Sequence, residues 1–205
     1  MFKLVQDITD DFFPTLARWQ SGRALWLAGG LWALGLEIFS VLYFQVYLGL
    51  YPCEYCVQIR LSMILIFLGA AVAAVWPGFA LFKLFGYAAC MGAAAWGLSM
   101  SAALEIVNLK TAFTPGFLAP CRVGDVAWPL GLDLSGRFPT HFMPEGICGE
   151  DSRWAFLGNS MTQWLILVYL AMLVGLALML VSWIASWVMS RKARREGRAL
   201  GGGAN

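Results

Sequence analysis

Four of the five cysteines in this chain of 205 residues form two pairs, and both pairs indicate thiol–disulfide chemistry. Cys53 and Cys56 are separated by two residues and precede a long apolar run. Cys121 and Cys148 lie in the one long polar stretch between apolar runs. A dithiol that is oxidised to a disulfide and reduced again carries two electrons. One pair would be enough to brace a loop, so a second pair beside an apolar run indicates a chemical role.

The spacing of Cys53 and Cys56 predicts that both thiols lie in the first turn of a helix. Pro52 precedes them, and proline suits the first helical position because its missing N–H has no hydrogen bond to lose there. A thiolate at a helix N-terminus is stabilised by the helix dipole and by free backbone N–H groups. The alternatives are a structural bridge or half of a zinc site. Zinc needs three or four ligands, and the only histidine, His141, falls in a distant loop.

Two charged residues lie inside apolar runs and are further candidates for the site. Arg60 follows Cys56 by four residues, so the two share one helix face about one turn apart. A guanidinium there costs roughly 2.5–3.5 kcal/mol on insertion scales, which favours a role in holding a thiolate or a ligand carbonyl. The alternative is that Arg60 extends to the membrane interface. Glu37 is expected to serve a proton path, to pair with a base, or to be a neutral, hydrogen-bonded carboxyl.

Cys121 and Cys148 admit two interpretations. A disulfide between them would close a loop and would be worth about 3.5 kcal/mol by the chain-entropy estimate, so a structural bridge is a serious alternative. Pro120, Gly146 and Gly149 predict a turn-like, accessible backbone around both cysteines, which favours exchange with another protein. The fifth cysteine, Cys90, lies inside an apolar run and is expected to be a small buried side chain.

The composition requires a membrane. Hydrophobic residues make up 60% of the chain, and the mean hydropathy is +0.70. Four apolar runs, about 24–43, 57–76, 84–104 and 165–189, each have about the 20 residues that cross a bilayer. The first run is too long for a cleavable signal peptide and contains Glu37. The sequence therefore predicts an all-α membrane protein: one integral domain, 1–205, that is a four-transmembrane-helix bundle with a long periplasmic loop between helices 3 and 4.

The distribution of basic residues predicts the orientation. An arm at 1–23 and a tail at 190–205 are expected to be cytoplasmic, and the loops 44–56 and 105–160 periplasmic. The basic residues on the cytoplasmic side are Lys3, Arg18, Arg23, Lys83, Arg191, Lys192, Arg194, Arg195 and Arg198. Those on the other side, Lys110, Arg122, Arg137 and Arg153, are diluted by acidic residues such as Asp125, Glu150 and Asp151. Disulfides persist in the periplasm. The loop 105–160 is polar between the apolar runs but still contains apolar side chains, so we expect part of it to form an amphipathic helix on the membrane surface.

An ordered set of motifs from the first span to the fourth resembles the DsbB family of quinone-linked, disulfide-generating membrane proteins. The set covers nearly the whole chain. Its pieces are Gly22-Arg23-x-x-Trp26-Leu27, Leu36-Glu37, Phe44-Gln45, Pro52-Cys53-x-x-Cys56-x-x-x-Arg60, Cys121, Arg137-Phe138-Pro139, Gly146-x-Cys148 and Trp154-x-Phe156-Leu157-Gly158-x-x-Met161-x-Gln163-Trp164.

This resemblance implies a quinone-dependent protein-disulfide oxidoreductase of the bacterial inner membrane. Such an enzyme re-oxidises a periplasmic DsbA-type thioredoxin-fold protein and passes the electrons to ubiquinone or menaquinone. By position, Cys121 would form the mixed disulfide with that partner, and Cys148 would be its disulfide mate. Cys53 and Cys56 would form the disulfide that quinone regenerates, with Cys56 nearest the ring. Arg60, Met161 and Glu37 are the other candidates for the quinone site.

The chain departs from the family pattern at two positions. Ile59 stands where the family has an acidic residue, and Asn108 stands where members often have a histidine. The arm and the segment from Cys56 to Arg60 are similar to the DsbI branch, so a dedicated, DsbL-like partner is an alternative to a general DsbA-type partner. Membrane lipid is the other expected partner, and the charge pattern indicates no nucleic-acid binding.

Two other functions compete with this prediction. A non-enzymatic scaffold with a braced external loop explains Cys121 and Cys148 but neither the Cys53–Cys56 pair nor Arg60. Its disulfides would stay oxidised whatever the quinone supply. A metal-binding protein would use the four thiolates as a Cys₄ site and would bind zinc stoichiometrically. The predicted oxidoreductase has no metal.

Overall fold

Four long helices dominate the computed structural model, which describes residues 14–114, 121, 124, 126, 128, 131–149 and 155–201, the side chains of 192–201 excepted. After a helical stretch at 14–19, the elements are α1 (Arg23–Phe39), a π-helical continuation (Ser40–Tyr47), α2 (Glu54–Val75), α3 (Ala80–Phe113), α4 (Leu134–Arg137), α5 (Pro139–Phe142), β1 (Ala155–Phe156), β2 (Asn159–Ser160) and α6 (Met161–Gly201).

Several residues used in the sequence argument lie outside the described part of the chain. They are residues 1–13 of the predicted arm, the loop residues Pro120, Arg122, Asp125, Glu150, Asp151, Arg153 and Trp154, and the side chains of Lys192, Arg194, Arg195 and Arg198. The predictions that concern them remain predictions.

Within the described part of the chain, four helices are long and apolar enough to cross a membrane: Arg23–Tyr47, Glu54–Val75, Ala80–Phe113 and Met161–Arg191. They confirm the all-α, four-span fold. In the order of packing, α1 contacts α2, α2 contacts α3, and α3 contacts α6. The most apolar part of α2 is 61% buried and that of α6 only 11% buried, so α2 lies inside the bundle and α6 presents most of its apolar surface to lipid.

Glycines bring α2 and α3 close together. A Cβ added to Gly86 would lie 2.5 Å from the Cβ of Ala73, and one added to Gly69 would lie 2.9 Å from the Cβ of Ala89. Carbon atoms do not approach so closely, so larger residues would force the helices apart. In lipid, van der Waals contact between small residues supplies much of the free energy of helix association.

A buried tyrosine fixes α6 against the other helices. The Tyr169 hydroxyl donates to the carbonyl oxygen of Ile59 at 3.2 Å and hydrogen-bonds to the hydroxyl of Ser62. Its ring lies over Gly97 of α3, where a Cβ would overlap it. One side chain therefore joins α6 to both α2 and α3.

A buried glutamine joins the helices at the opposite end of the bundle. The Gln20 side chain donates to Ser182 Oγ at 2.9 Å and accepts from the Tyr87 hydroxyl. The Trp26 indole N–H donates to the carbonyl oxygen of Gln20 at 3.1 Å. Because buried polar groups must be hydrogen-bonded, this cluster ties the chain before α1 to α3 and α6.

The connection between α3 and α6 folds back onto the ends of α1 and α2. Helix α3 ends at Phe113, and its C-cap residue, Thr114, is extended (φ −118°, ψ 102°) as expected before Pro115. Further along, the backbone N–H groups of Glu145 and Gly146 each donate to the carbonyl oxygen of Pro52 at 3.1 Å. A small apolar cluster buries the contact between α2 and the loop; its members are Val57, Leu61, Val126 and Phe142.

The Tyr169 contact generates a prediction about stability. We expect Gly97→Ala to lower the free energy of unfolding by about 1–3 kcal/mol, because the added Cβ displaces the Tyr169 ring. Gly92→Ala is the matched control on the same helix, since a Cβ there meets nothing within 4 Å. Thermal unfolding in detergent measures both variants. Equal melting temperatures for the two would show that α6 is not held by this contact.

Candidate functional site

The Cys53–Cys56 pair caps the N-terminus of α2. Cys53 is the N-cap residue (φ −82°, ψ 172°), and its sulfur accepts a hydrogen bond from the backbone N–H of Cys56 at 3.3 Å. The predicted helix start at Pro52 is therefore corrected: Pro52 lies just before the cap, and the first helical residue is Glu54. The cap position aims the Cys53 sulfur at N–H groups that have no partner within the helix.

The two thiols differ in environment. Cys53 is 1% exposed, whereas Cys56 is partly exposed. The hydrogen bond between the two thiols, followed by burial, raises the pKa of Cys53 well above its usual value. These effects outweigh the backbone N–H groups, which act in the opposite direction. The expected stabilisation of a thiolate by the helix end does not prevail at Cys53. Both residues are thiols in the structure, so the Cys53–Cys56 disulfide stays a prediction.

The structure joins Cys121 and Cys148 in a disulfide, with their Cα atoms 6.0 Å apart. Cys148 is 1% exposed, which corrects the expectation that both cysteines are accessible; Cys121 is partly exposed. Cys148 belongs to the same apolar cluster as Cys53, and Cys121 and Cys56 pack against that cluster. The hydrogen bonds from the loop to Pro52 hold the two cysteine pairs near each other.

A cavity of about 510 Å³ lies between α1, α2 and α6 and contains the predicted site residues. Glu37, Cys56, Arg60 and Met161 all line it, together with Cys53. Most of the other lining side chains are apolar or aromatic, and three of these are more than half exposed: Phe39, Tyr51 and Phe156. The cavity is thus an apolar pocket with a few polar groups and an exposed aromatic rim, as is typical of sites for flat organic ligands.

Arg60 is held inside the protein rather than at the membrane interface. It is 4% exposed. Its Nη1 donates to Gln45 Oε1 at 3.0 Å and to the carbonyl oxygen of His141 at 3.2 Å, and its Nε lies 3.9 Å from Glu37 Oε1. This network excludes the alternative in which Arg60 extends to the interface. It also leaves the guanidinium at the wall of the cavity, one turn from Cys56.

His141 lies at the site, although sequence reasoning placed it in a distant loop. Helix α5 brings its Nε2 to 3.0 Å from Glu37 Oε1. Gln45 was missed as a site residue as well; its side chain accepts from Arg60 and donates to the carbonyl oxygen of Thr140 at 3.2 Å. The motif Phe44-Gln45 was the only sequence signal for Gln45, and no motif used in the sequence analysis pointed to His141.

The start of α6 positions Met161. Ser160 and Gln163 form a reciprocal capping box: Ser160 Oγ accepts from the N–H of Gln163, and Gln163 Oε1 accepts from the N–H of Ser160, both at 3.2 Å. Glu105 of α3 accepts from Ser160 Oγ at 3.1 Å and from Gln163 Nε2 at 2.9 Å. The spacing Ser-x-x-Gln is a sequence signal for this cap that the motif analysis did not use.

Comparisons with known proteins identify the family of this chain. A family model described as "Disulfide bond formation protein DsbB" matches residues 22–180. The chain belongs to the DsbB family. A putative protein-disulfide oxidoreductase DsbI of Shewanella oneidensis is 30% identical over 191 residues, which are 86% of this chain and 88% of that protein.

Two further relatives of this DsbB-family chain carry related names. A protein-disulfide oxidoreductase DsbI of Salmonella typhimurium is 33% identical over 162 residues, covering 76% of this chain and 72% of the relative. A disulfide bond formation protein B of Shewanella loihica is 31% identical over 166 residues, which cover 81% of this chain and 93% of the relative. Membership of this family makes the chain a membrane oxidoreductase that acts in disulfide bond formation.

The positions at which the chain departs from the DsbB-family pattern have different surroundings. Ile59 is buried and lines the cavity, so Glu37 is the carboxylate that faces Arg60 there. Asn108 donates to Thr162 Oγ1 at 3.4 Å, next to the capping box and not among the lining residues of the cavity. His141 is the imidazole that the fold places near the cavity instead.

The Cys₄ metal site finds no support in the described residues. Among them, no group of three or more histidine, cysteine or acidic side chains is placed to hold a metal ion. The disulfide between Cys121 and Cys148 also removes two of the four thiolates that such a site requires.

The environment of Cys53 generates a prediction about pH. Its raised pKa means that Cys53 is a thiol at neutral pH and reacts with iodoacetamide only as the pH rises. Cys56→Ala removes the largest cause of the raised pKa, so we expect alkylation of Cys53 to begin at a lower pH in this variant. Mass spectrometry of the alkylated peptide measures the profile. Cys90→Ala is the control, because the Cys90 thiol donates to the carbonyl oxygen of Ile66 and not to Cys53. If Cys56→Ala leaves the pH profile of Cys53 alkylation unchanged, Cys56 is not the cause of the raised pKa.

Proposed function

We propose that this protein re-oxidises a periplasmic thioredoxin-fold protein of the DsbA type and passes the two electrons to a membrane quinone. The cavity is the observation that carries this proposal. Cys56, the buried guanidinium of Arg60 and apolar walls surround one space, which supports a site for an apolar redox ligand.

The residues of the cavity fit a quinone. A quinone is a flat, apolar ring with two carbonyl oxygens and, when bound, accepts two electrons and two protons. Arg60 can donate to a carbonyl oxygen, and Met161 and Trp164 provide soft, polarisable contacts for the ring. The rim formed by Phe39, Tyr51 and Phe156 offers an apolar ligand a route from the bilayer.

The first exchange occurs at the loop disulfide. A thiolate of the reduced partner attacks the sulfur of Cys121, because Cys121 is partly exposed and Cys148 is buried. The bond between Cys121 and Cys148 breaks, and Cys148 leaves as the thiolate. The second thiolate of the partner then attacks its own sulfur in the mixed disulfide. The partner leaves as a disulfide, and the two electrons stay on Cys121 and Cys148 as a dithiol.

The second exchange moves the electrons to the membrane pair. A thiolate of the loop pair attacks the predicted Cys53–Cys56 disulfide, the loop disulfide re-forms, and Cys53 and Cys56 become the dithiol. The shared apolar cluster supports this step, since it keeps the pairs together and excludes water from the mixed disulfide. Hydrogen bonds to Pro52 limit how far the loop has to move.

The third step regenerates the membrane disulfide. Cys56 is the thiol that faces the ligand, because it is partly exposed within the cavity. Arg60, one helical turn away, stabilises negative charge on the Cys56 sulfur. Cys53 retains its proton until Cys56 has reacted, owing to its raised pKa, and its sulfur then closes the disulfide.

The proposed setting is the bacterial inner membrane with both termini in the cytoplasm. Described basic residues support this orientation: Arg18, Arg23, Lys83 and Arg191 lie at the helix ends remote from the cavity. Cysteines at the other end then face the periplasm, where disulfides persist. Relatives named DsbI favour a dedicated partner, and a general DsbA-type partner is the alternative.

A reconstituted assay tests the function. With a reduced DsbA-type partner and ubiquinone-1, and menaquinone as a second acceptor, we expect partner-dependent loss of quinone absorbance. Ser substitution of any one of Cys53, Cys56, Cys121 and Cys148 should abolish turnover, since each forms a bond that must break. Cys90→Ser is the matched control and should turn over normally. Turnover by a variant that lacks one of these four cysteines would favour the non-enzymatic scaffold with a disulfide-braced loop. The absence of quinone reduction with several partners would favour it as well.

The role of Arg60 is tested by its affinity for quinone. Arg60→Met removes a charge-assisted hydrogen bond worth about 1.5–3 kcal/mol, so the quinone KM should rise about 10- to 100-fold. Arg60→Lys keeps the charge but loses the planar set of N–H donors, so its quinone KM should lie between those of the unaltered protein and Arg60→Met. The KM for the partner protein should stay unchanged. A rise in that KM instead would place Arg60 in loop positioning.

A further inference from the structure

A buried carboxyl and an imidazole lie together at the cavity, and none of the proposed exchange steps uses them. Glu37 is 4% exposed. Its Oε1 is the buried side-chain atom without a hydrogen bond in the described part of the protein, although His141 Nε2 lies 3.0 Å away. The two atoms are within ion-pair distance but are not aligned as a hydrogen bond. Oε1 therefore retains the capacity to accept a proton.

Hydrogen bonds to groups other than Glu37 hold Arg60 in place. The Arg60 Nε lies 3.9 Å from Oε1 and compensates a carboxylate. Arg60 keeps its place whether or not Glu37 holds a proton, because Gln45 and the carbonyl oxygen of His141 accept from its Nη1. A proton can thus arrive at Glu37 and leave it while the Arg60 guanidinium keeps both of these hydrogen-bond acceptors.

The pair also forms a gradient of exposure from the cavity to water. The Glu37 side chain is 5% exposed and lines the cavity with Cys56, whereas the His141 side chain is 32% exposed. His141 belongs to α5, which Gln45 ties to the end of α1 through the carbonyl oxygen of Thr140. One ring therefore contacts the buried carboxyl on one side and solvent on the other.

The proposed function moves protons at the cavity. Oxidation of the Cys53–Cys56 dithiol releases two protons with the two electrons, and reduction of a quinone takes up two, so the net change is zero but each proton must leave a sulfur atom and reach another group. Most of the cavity lining is apolar. A general base that lines the same cavity as the thiol can carry these protons.

We propose that Glu37 and His141 form the proton path between the cavity and the aqueous face of the protein. Glu37 Oε1 takes the proton from Cys56 Sγ, His141 Nε2 takes it from Glu37, and water takes it from the ring. The same atoms return a proton to the cavity in the reverse order. This inference rests on the proposed function for its purpose, but the path itself exists without quinone or partner.

Exchange of the thiol proton with solvent tests the path directly. The reduced protein, in a Cys90→Ala background, is transferred to D₂O, and infrared spectroscopy follows the replacement of the S–H stretching band by S–D. We expect Glu37→Gln and His141→Gln to slow this exchange at least about tenfold. Imidazole added to the smaller variant His141→Ala should restore the rate, which a merely structural role would not produce.

Glu145→Gln is the matched control, because it removes a carboxylate from an exposed side chain of the same loop. Its exchange rate should equal that of the unaltered protein. Unchanged or faster exchange in both Glu37→Gln and His141→Gln would overturn the proposal. So would slow exchange in His141→Ala that imidazole does not restore while thermal unfolding stays normal.

The quinone assay separates this proposal from the proposed function. If the unaltered protein reduces quinone and the variants exchange their thiol protons normally, the path is wrong and the function stands. If the unaltered protein reduces no quinone but exchange slows in the variants, the path stands and the function is wrong.

Discussion

Burial of the Arg60 guanidinium is the interaction on which the site depends. A cation inside an apolar bundle is tolerated only when its charge is compensated and its N–H groups have acceptors. Glu37 supplies the charge, and Gln45 and the backbone of His141 supply the acceptors. Those partners come from the first helix, its π-helical end and the long loop. Satisfying one side chain therefore assembles three separate segments around the cavity.

The same assembly gives each cysteine pair one protected and one accessible member. Cys148 and Cys53 are buried in one apolar cluster, whereas Cys121 and Cys56 are partly exposed at its edge. The accessible members face different spaces, since Cys56 lines the cavity and Cys121 lies in the loop. Such an arrangement favours transfer in sequence, because an outside thiol and a ligand in the cavity meet different sulfurs.

Stability and chemistry make opposite demands on this fold. Gly69 and Gly86 allow α2 and α3 to pack tightly, and Tyr169 fastens α6 to both. Helices α1 and α6 flank the cavity, where they pack on α2 and α3. The glycine contacts and the Tyr169 hydrogen bond thus hold α2, α3 and α6 together, and the cavity with its exposed aromatic rim remains between α1, α2 and α6.

The sequence alone determined the class of the protein and predicted which cysteines carry its redox chemistry. Apolar runs of membrane length predict four spans, and the spacing of Cys53, Cys56 and Arg60 along one helix face is local, so a single periodicity places them. The motif order was sufficient to identify the DsbB family. Contacts between distant segments decided the rest. His141 reaches Arg60 only because the loop folds back over α1 and α2, and Gln45 reaches it because the end of α1 packs beside α2. No local pattern encodes either contact. Which cysteine of each pair is buried likewise depends on packing between segments far apart in the chain, so only the tertiary structure determines it.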